Sequence, residues 1–322
     1  MIRTLASLCL AAVSFAVAPS RGEAEDYPSR PVRVVVGFAA GSGPDIQART
    51  VAQQLGQALG QNFYVENRLG ANGTIAARAV AQSDPDGYTL LFTSSSITST
   101  PFVYKQLGYD TFTDLRPIGT VGMLDGLFVL VRASSRIQSV PDLIAQAKQD
   151  RVLYGSPGVG NGLHLATELF AQKAGITLQH IPYKGASEVM TALLSSSVDV
   201  MFVTPPSVMG LLKDGTVRAI AFTGAKPFPE FPNVPLMRDS LPGYETPLSW
   251  GMFLAQGKTP TAIVDKLNAA IQAAIAEPAV AKVMQRDGYF PDHRNAAETA
   301  AFFREEVERT GELVKAAKIE AN

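Results

Sequence analysis

The sequence has one cysteine and three histidines among its 322 residues. The cysteine, Cys9, lies in an apolar run near the N-terminus, and the histidines stand far apart at His164, His180 and His293. Neither a CxxC nor an HxxxH spacing occurs, so the sequence lacks the usual ligand patterns of a zinc site. The same scarcity excludes a disulfide-stabilised fold and, beyond Cys9, a cysteine nucleophile.

The chain also lacks an excess of charge of either sign. Its 28 Lys and Arg residues balance 29 Asp and Glu residues, which gives a formal net charge of −1. Nucleic-acid and membrane-surface binding usually need a basic face, so this balance argues against both kinds of partner. With 46% hydrophobic and 18% charged residues, the composition is that of a globular protein long enough for two domains.

A glycine-rich stretch, VVVGFAAGSGPDIQART at residues 34–50, lacks the residues of the nucleotide-binding motifs. A dinucleotide fingerprint needs a third small residue where Ile46 stands. A P-loop needs a lysine, and none occurs between Tyr27 and Lys105. What remains is a helix N-terminus with free N–H donors and with Pro44 in its first turn. This pattern predicts a site for an anion other than a nucleotide.

The first residues have the pattern of an export signal. Arg3 precedes the unbroken apolar run Leu5–Ala18, and small residues follow that offer cleavage after Ala18 or Ala24. The run is too short to span a bilayer. We therefore predict a signal peptide over residues 1–26 and an exported mature chain.

Beyond the signal, short β-branched runs alternate with longer segments of helical periodicity, which predicts parallel α/β layers. Strands are predicted at Val32–Val36, Phe63–Glu66, Tyr88–Thr93, Phe128–Val131, Val152–Tyr154, Gln179–Pro182, Val198–Val203, Arg218–Thr223 and Ser249–Leu254. Helices are predicted at Asp45–Leu59, Thr74–Gln82, Val140–Gln149, His164–Ala174, Glu188–Leu194, Val208–Lys213, Ala262–Ala276 and Ala297–Ala317. The proline-rich passage 226–247 predicts neither a helix nor a central strand. No flexible linker separates two domains, so we expect strands that cross between them and C-terminal helices that return to the first.

Four further loops share the small polar composition of the opening loop: TSSSITS, GSPGVGNG, YKGAS and TPPS. Each follows a predicted strand and precedes a predicted helix. The carboxyl ends of parallel strands form one edge of a sheet, where ligands bind. Two such sheets facing each other would surround a small polar molecule with backbone donors and hydroxyls. The pattern favours recognition of a carboxylate.

Two side chains keep a catalytic interpretation open. The G-x-S-x-G motif of serine hydrolases is absent. His164 could act as a general base, and Lys184 could act as an amine nucleophile if it were desolvated. An exported hydrolase or transferase is therefore one alternative, and a ligand-sensing subunit of a signalling system is another.

The mature chain resembles the substrate-binding receptors of tripartite tricarboxylate transporters, the Bug-type proteins. The resemblance rests on AAGSGPDIQAR, YGSPGVGNGLHLATELF and HIPYKGASEVMTALLSSSVDV, in this order, and on similar segments between YPSRPVRVVV and the C-terminal helix. It implies an α/β fold of the type II periplasmic-binding class, with a ligand cleft between two lobes and hinge strands that cross between them. Lobe one would comprise residues 27–127 plus 248–322, and lobe two residues 128–247.

The resemblance also implies the activity. It predicts a periplasmic, monomeric receptor without catalysis, cofactor or metal. Such a receptor closes on a small carboxylate, which would be a di- or tricarboxylate, an amino acid or an aromatic acid. It then delivers the ligand to the inner-membrane permease subunits of the transporter.

Finally, the resemblance implies the ligand-binding residues, which belong to the opening loop, the serine loop and three loops of lobe two. They are Phe38, Ala39, Gly41, Ser42, Gly43, Asp45, Ser94, Ser95, Ser96, Gly158, Gly160, Asn161, Gly162, His164, Tyr183, Lys184, Gly185, Thr204 and Pro205. Two positions depart from the usual family pattern. Pro44 removes an N–H donor and a hydroxyl, and Asn161 stands where a serine is usual. We expect Pro44 to make the ligand preference differ from that of relatives.

Overall fold

The computed structural model describes residues 27–124, 126–244, 249–286, 288–316, 319 and 321. The predicted signal peptide lies outside these residues, and so does the predicted lobe boundary at residues 247 and 248. The described strands are β1 Val32–Val36, β2 Phe63–Asn67, β3 Thr89–Ser94, β4 Leu115–Leu124, β5 Phe128–Arg132, β6 Leu153–Ser156, β7 Gln179–Pro182, β8 Val200–Val203, β9 Val217–Phe222, β10 Ser249–Gln256 and β11 Tyr289–Pro291. The described helices are α1 Gly43–Leu59, α2 Thr74–Ala81, α3 Thr100–Val103, α4 Val140–Gln149, α5 Gly162–Ala174, α6 Ala186–Leu194, α7 Met209–Lys213, α8 Met237–Ser240, α9 Thr261–Ala276, α10 Pro278–Arg286 and α11 Ala296–Ala316.

These elements form two sheets covered by helices, one sheet in each lobe. The lobe-one sheet has six strands in the order β11-β4-β10-β3-β1-β2, and the lobe-two sheet has five in the order β7-β6-β8-β5-β9. The parallel pairings predicted from the sequence occur at β1 with β2 and β3, and at β6 with β7 and β8. The other pairings are antiparallel. Strand β10 pairs antiparallel with β3 and β4, and β5 pairs antiparallel with β8 and β9.

The first βα unit shows how the sequence produces this layering. The valines of β1 are buried on both faces of the sheet, as expected for a strand with neighbours on both sides and helices above and below. On α1, residues Ala48, Val51 and Leu55 recur at helical spacing and are fully buried. Helix α1 ends at Gly60, whose φ of 70° suits glycine at a helix C-terminus.

The chain passes between the lobes twice, from β4 to β5 and from β9 to β10. After β9 the described chain stays with lobe two, because Phe228 packs on Phe128 and the Tyr244 hydroxyl donates to the Ala166 carbonyl.

Leu127 and Thr223 exchange two hydrogen bonds, of 2.8 Å from the Leu127 N–H to Thr223 Oγ1 and 2.9 Å from the Thr223 N–H to the Leu127 carbonyl. A Cβ on Gly126 would lie 2.3 Å from the Gly224 nitrogen, so this close approach requires glycine. These contacts extend the pairing of β5 and β9 as far as the first passage between the lobes. The order of the strands in the two sheets agrees with the two passages expected from the sequence.

Strand β4 is absent from the sequence prediction because Pro117, Gly119 and Gly122 interrupt its pattern. Packing explains both glycines. A Cβ on Gly122 would lie 2.4 Å from Met284 Cε of α10, and one on Gly119 would lie 3.2 Å from Asn268 Nδ2 of α9. The glycines therefore let two helices approach the middle of the sheet. Helix α10 and strand β11 were also not predicted. The proline-rich passage is irregular through residue 244 apart from α8, as predicted.

Candidate ligand-binding cleft

A cavity of about 370 Å³ lies between the lobes. Lobe one contributes the β1–α1 loop, the turn after β2, the serine turn after β3, the start of β10 and residues of α11. Lobe two contributes the starts of α5 and α6 and the turn after β8. A cavity of this size suits a small molecule, and its position between two sheets at the ends of strands is where open α/β folds bind ligands.

The β1–α1 loop is held in shape from behind by Asp45. Asp45 is 2% exposed and accepts hydrogen bonds from the Gly41 N–H at 2.9 Å, from Arg49 Nε at 3.0 Å and from Asn67 Nδ2 at 2.8 Å. Burial raises the pKa of the Asp45 carboxyl, but these hydrogen bonds together lower it below its ordinary value. Gly41 has a φ of 79°, which favours glycine. Asp45 therefore shapes the loop and does not line the cavity.

The first turn of α1 faces the cavity without a side-chain cap. Gly43 and Pro44 both line the cavity, and Ser42, at the N-cap position, makes no side-chain cap hydrogen bond. Instead, Ser42 Oγ donates to the Ala39 carbonyl at 2.6 Å. A helix start without such a cap retains N–H donors and a partial positive charge for an anion.

The serine turn after β3 provides hydroxyls at the same edge of the sheet. Ser94 Oγ accepts from the Ser96 N–H at 3.4 Å, and Thr98 Oγ1 donates to the Ser95 carbonyl at 2.7 Å. Ser94, Ser95, Ser96 and Thr98 all line the cavity. This turn therefore adds short polar side chains next to the start of α1.

Most of the residues predicted for the site line the cavity. They are Phe38, Ala39, Gly41, Ser42, Gly43, Ser94, Ser95, Ser96, Asn161, Gly162, Lys184, Gly185 and Thr204. The remaining predicted residues do not line it: Asp45, Gly158, Gly160, His164, Tyr183 and Pro205. Tyr183 packs in the apolar core of lobe two, and Pro205 is buried where it begins a turn. Gly158 and Gly160 shape the turn before α5, with φ values of 129° and 73°.

His164 lies behind the cavity wall in a stack of three rings. It is 4% exposed, its ring centroid is 4.1 Å from that of His180, and Tyr154 stacks on His180 at 4.8 Å. His164 Nδ1 accepts the Gly160 N–H at 2.9 Å, and His180 Nε2 lies 2.6 Å from Ser156 Oγ. Burial, with a smaller effect of His180, lowers the pKa of His164 to about 3, and burial lowers the pKa of His180 to about 4. The histidines are therefore neutral and support the turn before α5.

Several cavity residues escaped the sequence analysis. They are Gln47, Asn72, Met190, Trp250, Tyr289, Arg309 and Thr310. Gln47 is 5% exposed, and its Oε1 has no hydrogen-bond partner. Trp250 is buried and also lines the cavity. Only the packing of α11 and β11 against the cleft brings the C-terminal residues here, so no local sequence signal marks them.

The ionisable side chains favour an anion. Lys184 and Arg309 line the cavity, and no Asp or Glu does so within the described part of the chain. Arg309 Nη2 donates to Glu306 at 2.8 Å, and Trp250 Nε1 donates to the same carboxylate at 3.2 Å. Because Glu306 balances Arg309, Lys184 supplies the more available positive charge. Among the described residues, no three His, Cys, Asp or Glu side chains are close enough together to hold a metal ion.

The fold and the cleft define a two-lobed solute-binding protein. The family described as the tripartite tricarboxylate transporter family receptor matches residues 47–319. A UPF0065 protein of Bordetella bronchiseptica is 37% identical over 314 residues, which cover 97% of this chain and 93% of the relative. The chain belongs to the tripartite tricarboxylate transporter receptor family.

Solved structures agree with this assignment. The periplasmic binding protein BugD superposes with a TM-score of 0.85 at 32% identity, over 92% of this chain and 100% of BugD. The R. palustris protein Rpa4515, solved with adipate, gives a TM-score of 0.87 at 32% identity with the same coverage. None of the helices formed by the described residues is long and apolar enough to cross a bilayer.

Proposed function

We propose that this chain is a periplasmic receptor that closes on a small carboxylate and delivers it to the permease subunits of a tripartite tricarboxylate-type transporter. The observation that carries this proposal is the uncapped start of α1 facing a cavity between two lobes, opposite Lys184. One carboxylate would accept hydrogen bonds from backbone N–H groups of the β1–α1 loop and from the hydroxyls of Ser95 and Ser96. The adipate of the R. palustris relative is a ligand of this class.

We extend the proposed contacts to both lobes. On lobe one, Arg309 would donate to a ligand carboxylate, because its buried Nε has no partner. Gln47 Oε1, which also has no partner, would accept from a ligand hydroxyl or from a bound water. On lobe two, Lys184 and Thr204 would bind from the opposite wall. A ligand that bridges the lobes binds the closed state better than the open one and shifts the population towards it.

We propose that the receptor performs no chemistry on its ligand. The two side chains that offered a catalytic alternative are poorly placed for it. His164 is 4% exposed behind the cavity wall and uses Nδ1 to accept the Gly160 N–H, so it has no open path to a ligand. Lys184 is exposed, whereas a lysine nucleophile needs desolvation. We further propose export with cleavage of residues 1–26, and a monomeric receptor.

Binding to matched acids and neutral analogues tests this function. Adipate is compared with adipamide, which has the same carbon chain without charge, in a thermal unfolding assay together with shorter and aromatic acids. At a ligand concentration of 100 times Kd, binding stabilises a protein by about 2.7 kcal/mol, which raises Tm by several degrees. We expect at least one acid, and no neutral analogue, to raise Tm in this way.

The matched control is Gly43→Leu. A Cβ at Gly43 would already lie 2.9 Å from the Tyr289 hydroxyl, so a leucine at this position would occupy the cavity beside the start of α1. The variant should stay folded and lose the acid-dependent shift. If no acid in the panel stabilises the wild-type protein, or if the neutral analogues do so equally, the proposal is wrong.

A further inference from the structure

The two lobes touch each other directly beside the cavity. Asn161 Nδ2 of lobe two donates to Asn72 Oδ1 of lobe one at 3.0 Å and lies 3.3 Å from Ser96 Oγ. Ser99 Oγ donates to the Gly160 carbonyl at 2.5 Å. Asn161, Ser96 and Ser99 are 6%, 5% and 0% exposed, so water has little access to these bonds. We call this set of residues, Asn72, Ser96, Ser99, Gly160 and Asn161, the latch.

The lobe-two side of the latch is shaped for close approach. A Cβ at Gly160 would lie 2.6 Å from a Val103 methyl of lobe one, so only glycine allows the turn to come this near. The Gly160 N–H is held by His164 Nδ1 at 2.9 Å. This bond fixes the peptide that precedes α5 and leaves the Gly160 carbonyl directed at Ser99. The conformation of this turn is therefore fixed by interactions within lobe two.

Asn161 performs two tasks with one amide. Its Oδ1 accepts the Leu163 N–H at 2.9 Å and so caps α5, while its NH₂ group reaches lobe one. Serine or aspartate would cap the helix equally well but has no NH₂ group to donate. On the opposite wall, Asn72 has a left-handed φ of 54°, which asparagine tolerates better than most residues. The cap on α5 therefore fixes the Asn161 side chain, and the left-handed backbone fixes the position of Asn72.

We infer that Asn161 and Gly160 are positioning residues that hold the lobes together through Asn72, Ser96 and Ser99, so that the receptor populates its closed state without ligand. The inference goes beyond the proposed function because it concerns the empty protein. Opening the cleft would break bonds that are buried in the closed form. A receptor that is already partly closed gives up less of its binding free energy to closure, since the apparent Kd is the intrinsic Kd divided by the closed fraction.

A distance measurement on the ligand-free protein tests the latch. Spin labels are attached at Gln57→Cys on α1 and Lys148→Cys on α4, two exposed positions on different lobes. The sequence contains one other cysteine, Cys9, in the predicted signal peptide. Bound small molecules are first removed by dialysis from denaturant, and the label distance is then measured by pulsed electron paramagnetic resonance. We expect a main population at the separation that the structure shows.

Asn161→Ser breaks the latch and keeps the helix cap, since the serine hydroxyl still accepts the Leu163 N–H but is too short to reach Asn72. Asn72→Gly removes the partner on the other lobe and keeps the left-handed backbone. Each should lower the closed-to-open ratio about five- to thirtyfold, the factor carried by one or two neutral hydrogen bonds. Asn233→Ser, the same substitution at an exposed site of lobe two, should leave the distances unchanged.

The inference is overturned if the empty wild-type protein shows only a longer, open distance. It is also overturned if Asn72→Gly leaves the distances unchanged, because an effect of Asn161→Ser alone would then be local to lobe two. If Asn161→Ser fails to fold, Asn72→Gly and Ser99→Ala test the inference from lobe one. Because no ligand is present, failure of this inference is separate from failure of the proposed carboxylate binding.

Discussion

The buried histidine stack should make the protein lose stability in mild acid. His164 and His180 are neutral when folded, with pKa values of about 3 and about 4, whereas the ordinary value is 6.5. Below pH 6.5 the unfolded chain therefore binds protons that the folded chain does not. Unfolding is then favoured as pH falls, and the loss continues until the pH reaches the folded pKa values.

The magnitude follows from these values. Between pH 7.5 and pH 5.0 the difference in proton binding at His164 costs about 2 kcal/mol of the free energy of unfolding. His180 is less buried, so its share is smaller after allowance for solvent screening. We expect a total loss of about 2 to 4 kcal/mol. Hydrogen bonds lower the pKa of Asp45 below its ordinary value, so its contribution to the loss appears at lower pH.

Urea unfolding at pH 7.5 and pH 5.0 measures this loss. The double substitution His164→Gln and His180→Gln removes both titrating rings, and its stability should fall by less than about 1 kcal/mol over the same interval. His293→Gln, at an exposed position outside the stack, should keep the wild-type loss. The reasoning is refuted if the double variant loses as much stability as the wild type.

Three further substitutions test two cavity residues and the Asp45 side chain that supports the β1–α1 loop. Gln47→Leu keeps a side chain of similar size and removes the amide, so the Kd for the best acid should rise about 5- to 50-fold in calorimetry with little change in Tm; an unchanged Kd would place Gln47 outside the ligand site. Lys184→Met should weaken binding and reduce its dependence on ionic strength, and an unaltered salt dependence would contradict a role for this charge. Asp45→Ala leaves Arg49 and the Gly41 N–H without their acceptor, so stability should fall by about 1 to 3 kcal/mol in urea and Kd should rise; a Kd equal to wild type would show that the β1–α1 loop keeps its shape without Asp45.

Local sequence patterns were sufficient where one element had a strong signal of its own. The bounds of β1, α4 and β7 are those predicted. A run of valines determines β1 locally, and a serine-capped amphipathic stretch determines α4. Strand β4 was missed since Pro117 and Gly119 look like a loop in isolation. Their role is visible only with the helix that packs against the strand.

The binding site, too, was predicted from the sequence only in part. Local composition placed the loops around the cleft, including Ser95 and Gly43. It did not reveal which way the side chains point. Asp45 and His164 follow the same kinds of loop, but they bond the loop backbone from behind and do not line the cavity. Arg309 lies far in sequence from the loops that line the cleft and reaches it through the packing of α11. Such positions depend on tertiary contacts that periodicity does not encode.

A crystal structure of the mature protein with the tightest-binding acid tests the central claim most directly. We expect the acid between the two lobes, with a carboxylate oxygen accepting hydrogen bonds from backbone N–H groups at residues 38–43 or from the hydroxyls of Ser95 and Ser96. Lys184 and Thr204 should close on it from lobe two. An acid bound outside this cleft, or one whose carboxylates point to solvent while its apolar part fills the cavity, would contradict the account.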